Sequence, residues 1–249
     1  TGATLERTGA IHVILDAFSA PTSLRILARV LGWPFKWFGL KGDLNLPPAT
    51  RALTALGPAY IKFGQILSTR PDVVGDALAK QLRVLQDRLP PFSSEIAKKT
   101  IESELGKPVD KLFSNFSDPV AAASIAQVHK AKIVDTNELV AIKVLRPGIE
   151  RAFRKDIDAF YLAAKIIELI SPSARRLKPT EVIKHFDYVV QGELDLKLEA
   201  TAAGEYRSTA SQDVGFSVPK AHFIYTSKRV LTMDWVDGIP FGDTKAIDD

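Results

Sequence analysis

Cysteine is absent, which rules out disulfides and thiolate metal sites. Long apolar runs are absent too. The longest stretch without a charged side chain covers residues 119–129, far short of the ~20 apolar residues that a spanning helix needs. Methionine occurs once, at Met233, and the first residue is Thr1. No signal-peptide pattern opens the chain, so it reads as a processed or excised piece. Neither sign of charge dominates: 33 Lys and Arg against 29 Asp and Glu leave a net +4. That balance suits a nucleotide or an anionic lipid and does not point to nucleic acid. There is no internal repeat and no low-complexity tract. What remains is ordinary globular material, 249 residues with 46% hydrophobic and 25% charged side chains. That is enough for one large domain or two small ones.

The most informative stretch is residues 119–147, PVAAASIAQVHKAKIVDTNELVAIKVLRP. It reads as two strands joined by a turn. The small-residue run Ala121-Ala122-Ala123-Ser124 leads into a first strand that continues through Gln127, His129 and Lys132 to Val134. Asp135-Thr136-Asn137 supplies turn chemistry. Leu139-Val140-Ala141-Ile142-Lys143-Val144-Leu145 then forms a second strand, apolar except for one lysine. A lysine there is costly to bury unless an anion meets it or its ammonium snorkels to solvent. The strand by itself leaves both open.

Helical spacing predicts helices over residues 5–18 and 22–31, with Thr22 as N-cap of the second and Leu24, Leu27, Ala28 and Leu31 on one face. The cluster that follows, Trp33-Pro34-Phe35-Lys36-Trp37-Phe38, holds two of the three tryptophans beside Arg25, Arg29 and Lys41. It suits either an interfacial anchor or rings packed on the rest of the protein. Further helices are expected over 47–56 and 58–70, the latter opened by Pro58. Lys62 and Gln65, three apart, point to one side of it. Gly64 between them costs ~1 kcal/mol of helix stability relative to alanine, which suggests close approach of another backbone. Helices over 72–89 and 93–105 come next, and Gly106 stops the second.

Beyond the hairpin, helices are expected over 149–170 and 179–212, the second broken near Gly192 or Gly204. Two short strands, 221–225 and 229–235, close the pattern. On a continuous helix Asp195 and Glu199 are about 40° apart and share a face, while Glu193 is about 120° from Glu199. One helix could thus serve two cations, Lys143 through Glu199 and Lys62 through Glu193; taken alone, such a charged run is equally a solvated helix face.

Val140-Ala141-Ile142-Lys143 resembles the strand that supplies the phosphate-pairing lysine in protein kinases, although alanines stand where the kinase loop carries glycines. Lys62-Phe63-Gly64-Gln65 looks like the KxGQ motif, Ala121-Ala122-Ala123-Ser124 like an alanine-rich loop, and Glu193-Leu194-Asp195 like the ExD motif, with Glu199 at the helix glutamate. On these motifs, in order over about residues 50–238, the chain is identified as a member of the UbiB family, the ADCK-type atypical kinases associated with ubiquinone biosynthesis.

The resemblance implies an α+β fold, a protein-kinase-like N-lobe of small antiparallel sheet and long helices, preceded by an all-helical KxGQ extension. The implied segments are amphipathic helices over 1–46, the extension over 47–118, the nucleotide-binding lobe over 119–236, and the start of a C-lobe over 237–249. Lys143 would neutralise phosphate, Glu199 would position Lys143, and the backbone of Ala121, Ala122, Ala123, Ser124 and Ile125 would cover the phosphates. Met233, Asp234 and Val236 fall at the hinge, whose backbone would hold adenine. Lys62 and Gln65, with Glu193 and Asp195, would form a regulatory set in which the KxGQ helix occludes the protein-substrate site.

The implied cofactors are ATP or ADP, with Mg2+ in the full-length protein. Catalytic-loop and DFG-type metal ligands would follow the hinge. Neither a His-x-Asp nor an Asp-Phe-Gly segment is expected anywhere in the chain, so no metal site is expected within it, and the chain alone is expected not to turn over ATP. The alternative is a catalytically incompetent pseudokinase, a lipid-binding or scaffold module acting on quinone precursors. Implied partners are a nucleotide, a lipid or quinone precursor, and a membrane surface met through Trp33, Phe35, Trp37 and Phe38. The implied place is the cytoplasmic face of a bacterial inner membrane, or a mitochondrial or plastid equivalent, without a transmembrane segment.

Overall fold

A computed structural model describes residues 1–17, 21–85, 91–170 and 175–238, leaving aside the side chains of Leu24, Phe35, Lys36 and Ile170. In chain order the helices are α1 (Gly2–Thr8), α2 (Ala10–Ala17), α3 (Thr22–Gly32), α4 (Pro48–Leu56), α5 (Pro58–Ser68), α6 (Pro71–Val74), α7 (Asp76–Leu82), α8 (Ser94–Leu105), α9 (Val109–Leu112), α10 (Ile149–Ile170), α11 (Pro179–Glu193) and α12 (Leu196–Thr209). The strands are β1 (Phe113–Ser114), β2 (Pro119–Ala122), β3 (Ala126–Ile133), β4 (Leu139–Leu145) and β5 (Val230–Asp234). Contacts divide the chain into two compact units, Thr1–Leu89 with Gly148–Val190, and Pro90–Pro147 with Gln191–Asp249.

Among its described residues the first unit is helical. Prolines open α4, α5 and α6, where a missing N–H loses nothing because the first turn has no intrahelical acceptor for it. Glycines in positive-φ conformations divide what the periodicity joins. The helix expected over 5–18 is α1 and α2, parted by Gly9 at φ 78°; Phe18 lies outside the described residues. The helix expected over 72–89 breaks at Gly75, also at φ 78°, and continues as α7 and a 3-10 turn, Arg83–Leu85; residues 86–89 lie outside the description. Apolar spacing is blind to backbone handedness, so it runs straight through both breaks. Thr22 is the first residue of α3 rather than its cap, because Pro21 takes the extended N-cap position.

Ala49, Ile61, Val74, Leu78, Leu82 and Leu85 form one core here. Tyr60 and Phe63 of α5, Phe160 of α10 and Phe186 of α11 form a second, with ring centroids 4.6–5.8 Å apart. Gly64 sits against side chains and not the expected backbone. A Cβ there would fall 2.7 Å from Leu53 Cδ1 and closer still to Leu85 Cδ1.

The second unit is built on an antiparallel sheet in the order β1-β3-β4-β5, with β2 also paired to β3. β4 spans the expected residues, and Asn137 in the preceding turn has φ 58°, a conformation asparagine tolerates. The alanine run is itself strand: Ala121 and Ala122 pair with Val128 and Gln127. The strand expected over 221–225 is instead a single bridge, Ala221 to Met233, and a 3-10 turn, Phe223–Tyr225. Hydroxyls hold that turn: Thr232 donates to the Tyr225 carbonyl at 2.7 Å and Thr226 to the His222 carbonyl at 2.9 Å.

Burial alternates along β3 and β4, which gives the sheet two unlike faces. One face carries Ala131, Ile133, Val140, Ile142 and Val144, packed with Ala97 and Ile101 of α8. Ser93 caps α8 and Gly106, at φ 70°, ends it as expected. The other face carries Val128, Lys130, Ala141, Lys143 and Met233, all half-buried.

Candidate functional site

Strand register places the half-open face. Val128 of β3 stands opposite Lys143 of β4, which stands opposite Leu231 of β5; one step along are Lys130, Ala141 and Met233. The branched apolar side chain of Val128 and the methyl of Ala141 thus lie beside the lysine, a flat apolar bed next to a cation. Neither residue was singled out by sequence reasoning. Ala141 was within reach of it, since strand period puts residues two apart on one face; Val128 was not, because its place depends on inter-strand register.

Lys143 Nζ donates to both carboxylate oxygens of Glu199, at 2.9 and 2.7 Å. Glu199 lies in the first turn of α12, where the helix dipole favours negative charge. The side chains are 30% and 46% exposed, so the lysine is not sealed inside an apolar sheet. A pair this open contributes at most about 1 kcal/mol to stability. Its ammonium remains within reach of an incoming anion.

The helix expected over 179–212 is two helices, which corrects the face geometry read from it. α11 ends at Glu193, and Asp195 is the extended N-cap of α12, its carboxylate accepting from the Lys197 N–H at 3.1 Å. Aspartate favours that position because its oxygen satisfies an orphan N–H. Asp195 therefore does not share a helical face with Glu199, Glu193 and Glu199 belong to different helices, and Gly204 lies inside α12. Buried Leu194 and Leu196 flank the joint, and the Leu196 N–H bonds the Lys228 carbonyl at 2.9 Å.

Lys62 and Gln65 both lie on α5, in the first unit. Gln65 Nε2 donates to the Leu85 carbonyl at 3.0 Å and so holds the 3-10 turn after α7. Glu193 belongs to the second unit.

At the end of β5, the Trp235 N–H donates to the Leu139 carbonyl at 3.0 Å. Strand alternation turns Asp234 away from the face of Met233. Its carboxylate meets buried His222 Nε2 at 2.8 Å and accepts the Lys220 N–H at 3.1 Å, strapping residues 220–222 to the strand. On the open-face side Lys130 Nζ lies 4.2 Å over the Trp235 ring and 3.9 Å from Asp237.

The β2–β3 hairpin closes with the Ala123 N–H on the Ala126 carbonyl at 2.8 Å, leaving a tip of only Ser124 and Ile125, both buried. Beneath it runs a buried polar chain. The Phe92 N–H donates to Gln127 Oε1 at 2.9 Å, Gln127 Nε2 lies 2.8 Å from His129 Nε2, and His129 Nδ1 lies 2.8 Å from the Ser117 carbonyl. A carbonyl only accepts, so Nδ1 carries the proton and Nε2 accepts from the amide. Burial pushes the His129 pKa below its ordinary value.

Contrary to expectation a His-x-Asp does occur, His185-Phe186-Asp187, but it lies inside α11, before the segment expected as hinge, with Phe186 packed edge-on against Phe63 and Phe160. It is helix and not a catalytic loop. Among the described residues no group of three or more His, Asp and Glu side chains is gathered to hold a metal ion.

An antiparallel sheet with a strand lysine gripped by a helix glutamate, next to a small-residue hairpin in the same sheet, has the architecture of a kinase-like N-lobe. Residues 84–249 match the ABC1 atypical kinase-like domain. The chain belongs to that family and is similar to its UbiB members. It is 45% identical over 242 residues to a "Probable protein kinase UbiB" of Marinobacter nauticus, covering 96% of this chain and 43% of the relative. A protein of the same name from Shewanella loihica is 39% identical over 223 residues, covering 88% and 41%. The chain thus spans less than half the length of these relatives. A Mycobacterium tuberculosis protein, solved as the complex of Rv3197 with erythromycin, shares the fold with TM-score 0.54 and 23% identity, covering 89% of this chain and 52% of that one.

Proposed function

We propose that the open face of the sheet binds ATP or ADP, in an atypical kinase-like protein that supports ubiquinone biosynthesis at a membrane. The bidentate hold of Glu199 on Lys143 carries this reading, because it fixes an ammonium where a polyphosphate can reach it. Val128 and Ala141 would take the base, and backbone beyond Met233 would bond its edge. The hairpin over Ala121–Ile125 would cover the phosphates. Bound Mg2+ would neutralise charge on the phosphates, with ligands drawn from outside the residues described. On the same family resemblance the KxGQ helix would bar a protein substrate, Lys62 pairing with Glu193.

The test is equilibrium nucleotide binding by the protein at the full length of its relatives, wild type against Lys143→Met. One lost charge-assisted contact of ~1.5–3 kcal/mol predicts roughly ten- to hundredfold weaker binding. Equal affinity would remove Lys143 from the site.

A second reading, a catalytically incompetent module that holds a lipid or quinone precursor, rests on a separate observation. Within the first unit a cleft of about 280 Å³ is lined by Phe63, Ile66 and Leu67 of α5 and by Val182 and Phe186 of α11. Nucleotide binding that is lost in Lys143→Met would favour the first reading; its absence from the wild type would favour the second.

A further inference from the structure

The alanine-rich hairpin does not hold its shape by the alanines alone. Arg146, just past the end of β4, approaches it twice. Its backbone N–H donates to the Ile125 carbonyl at 2.8 Å, and its guanidinium Nε and Nη2 reach the Ala123 carbonyl at 3.4 and 3.3 Å. The guanidinium lies 5.6 Å over the Phe92 ring, and the Phe92 N–H is tied to Gln127, next to the pair that closes the hairpin. From its own carbonyl Arg146 receives an N–H from Arg229 at 3.3 Å, which anchors the clamp to the strand-β5 side of the sheet. The residue therefore holds the β2 end and the tip of the hairpin directly, and reaches its β3 arm only through Phe92.

We propose that Arg146 is a positioning residue that holds the alanine-rich hairpin closed before nucleotide arrives, and so sets the affinity for the phosphate part of the ligand. The inference rests on the nucleotide reading above. A loop ordered in advance is not ordered at the expense of binding, whereas a loosened one is. The effect of losing the guanidinium is confined to what the hairpin covers. It weakens ligands that carry phosphates and leaves the bare nucleoside alone.

The experiment measures affinities for adenosine, AMP, ADP and ATP in the full-length protein, together with backbone hydrogen exchange over residues 121–126, for wild type, Arg146→Ala and Arg146→Lys. Expected are faster exchange in the hairpin and about tenfold weaker ADP and ATP binding in Arg146→Ala, with adenosine unchanged. Arg146→Lys keeps the charge but not the two-pronged reach, so it should fall between the other two. It also carries the same pattern should the alanine variant not fold. Unchanged hairpin exchange overturns the clamp. Equal weakening of adenosine and ATP overturns it too, since that marks general destabilisation. If the wild type binds none of the four, the nucleotide reading itself falls, and this inference with it. Wild-type binding that Arg146→Ala leaves intact sinks the clamp alone.

Discussion

Lys143 and Glu199 stand 56 positions apart in the chain and 2.7 Å apart in space. Both were recognisable beforehand, one as a lone charge in an apolar strand and the other as a helix acid at a motif spacing. Residues whose role depends on what lies across a strand were not. His129 looks like any strand histidine in sequence, yet it is fully buried and locked as a neutral tautomer between Ser117 and Gln127. Protonating it would set an N–H against the Gln127 amide donor and put a charge in the core. Its folded pKa lies below the ordinary 6.5, chiefly through burial. The unfolded chain therefore binds the proton more readily. The stability this confers is complete above about pH 6.5 and is lost as pH falls from there toward the folded pKa. Urea midpoints between about pH 7 and pH 5 should fall in the wild type, and fall less in His129→Gln, which cannot titrate; identical slopes would clear His129 of the effect.

At the scale of elements, the type of nearly every long segment was legible. α10 and β4 begin and end where the periodicity put them. Errors gathered at joints, where one residue's backbone conformation overrides the pattern on either side. Asp195 leaves the helical region to cap α12, and Gly75 turns left-handed. The glycines of α5 and α11 separate two reasons for a helical glycine. Gly64 is packed under Leu53 and Leu85, whereas a Cβ at Gly192 would meet nothing within 4 Å. Gly64→Val should lower unfolding stability by about 1–3 kcal/mol through overpacking. Gly192→Ala should raise it by up to ~1 kcal/mol through helix propensity. Denaturant unfolding of both variants checks this; a stabilised Gly64→Val would show that Leu53 and Leu85 move aside freely.

At the scale of the whole molecule, the chain exposes an apolar surface that its own described residues do not cover. Trp33, Trp37 and Phe38 are 69%, 78% and 83% exposed, and Ile26, Leu27, Val30 and Leu31 of α3 are exposed beside them. Phe35, expected among them, has its side chain outside the described residues. Such a surface, flanked by Arg29 and Lys41, supports the proposed contact with a bilayer interface, where amphipathic rings sit beside cations. Among the described residues no helix is long and apolar enough to cross a membrane. Flotation with anionic vesicles should recover the wild type and lose most of a Trp33→Ser, Trp37→Ser double variant. Full recovery of the variant would remove this surface as the anchor.

The order of motifs and the kinase-like class were determined by the sequence itself, because each is written in residue type and spacing along the chain. The meeting of Lys143 with Glu199, 56 positions away, was implied by resemblance and is a tertiary contact. Only the tertiary structure decided which side chains share the open face of the sheet, that the acid-bearing helix is split at Asp195, and that Arg146 reaches the hairpin. The reason is physical. Spacing reports the repeat within an element, whereas register, capping and a long side chain's reach are settled by the hydrogen bonds an element makes with its neighbours.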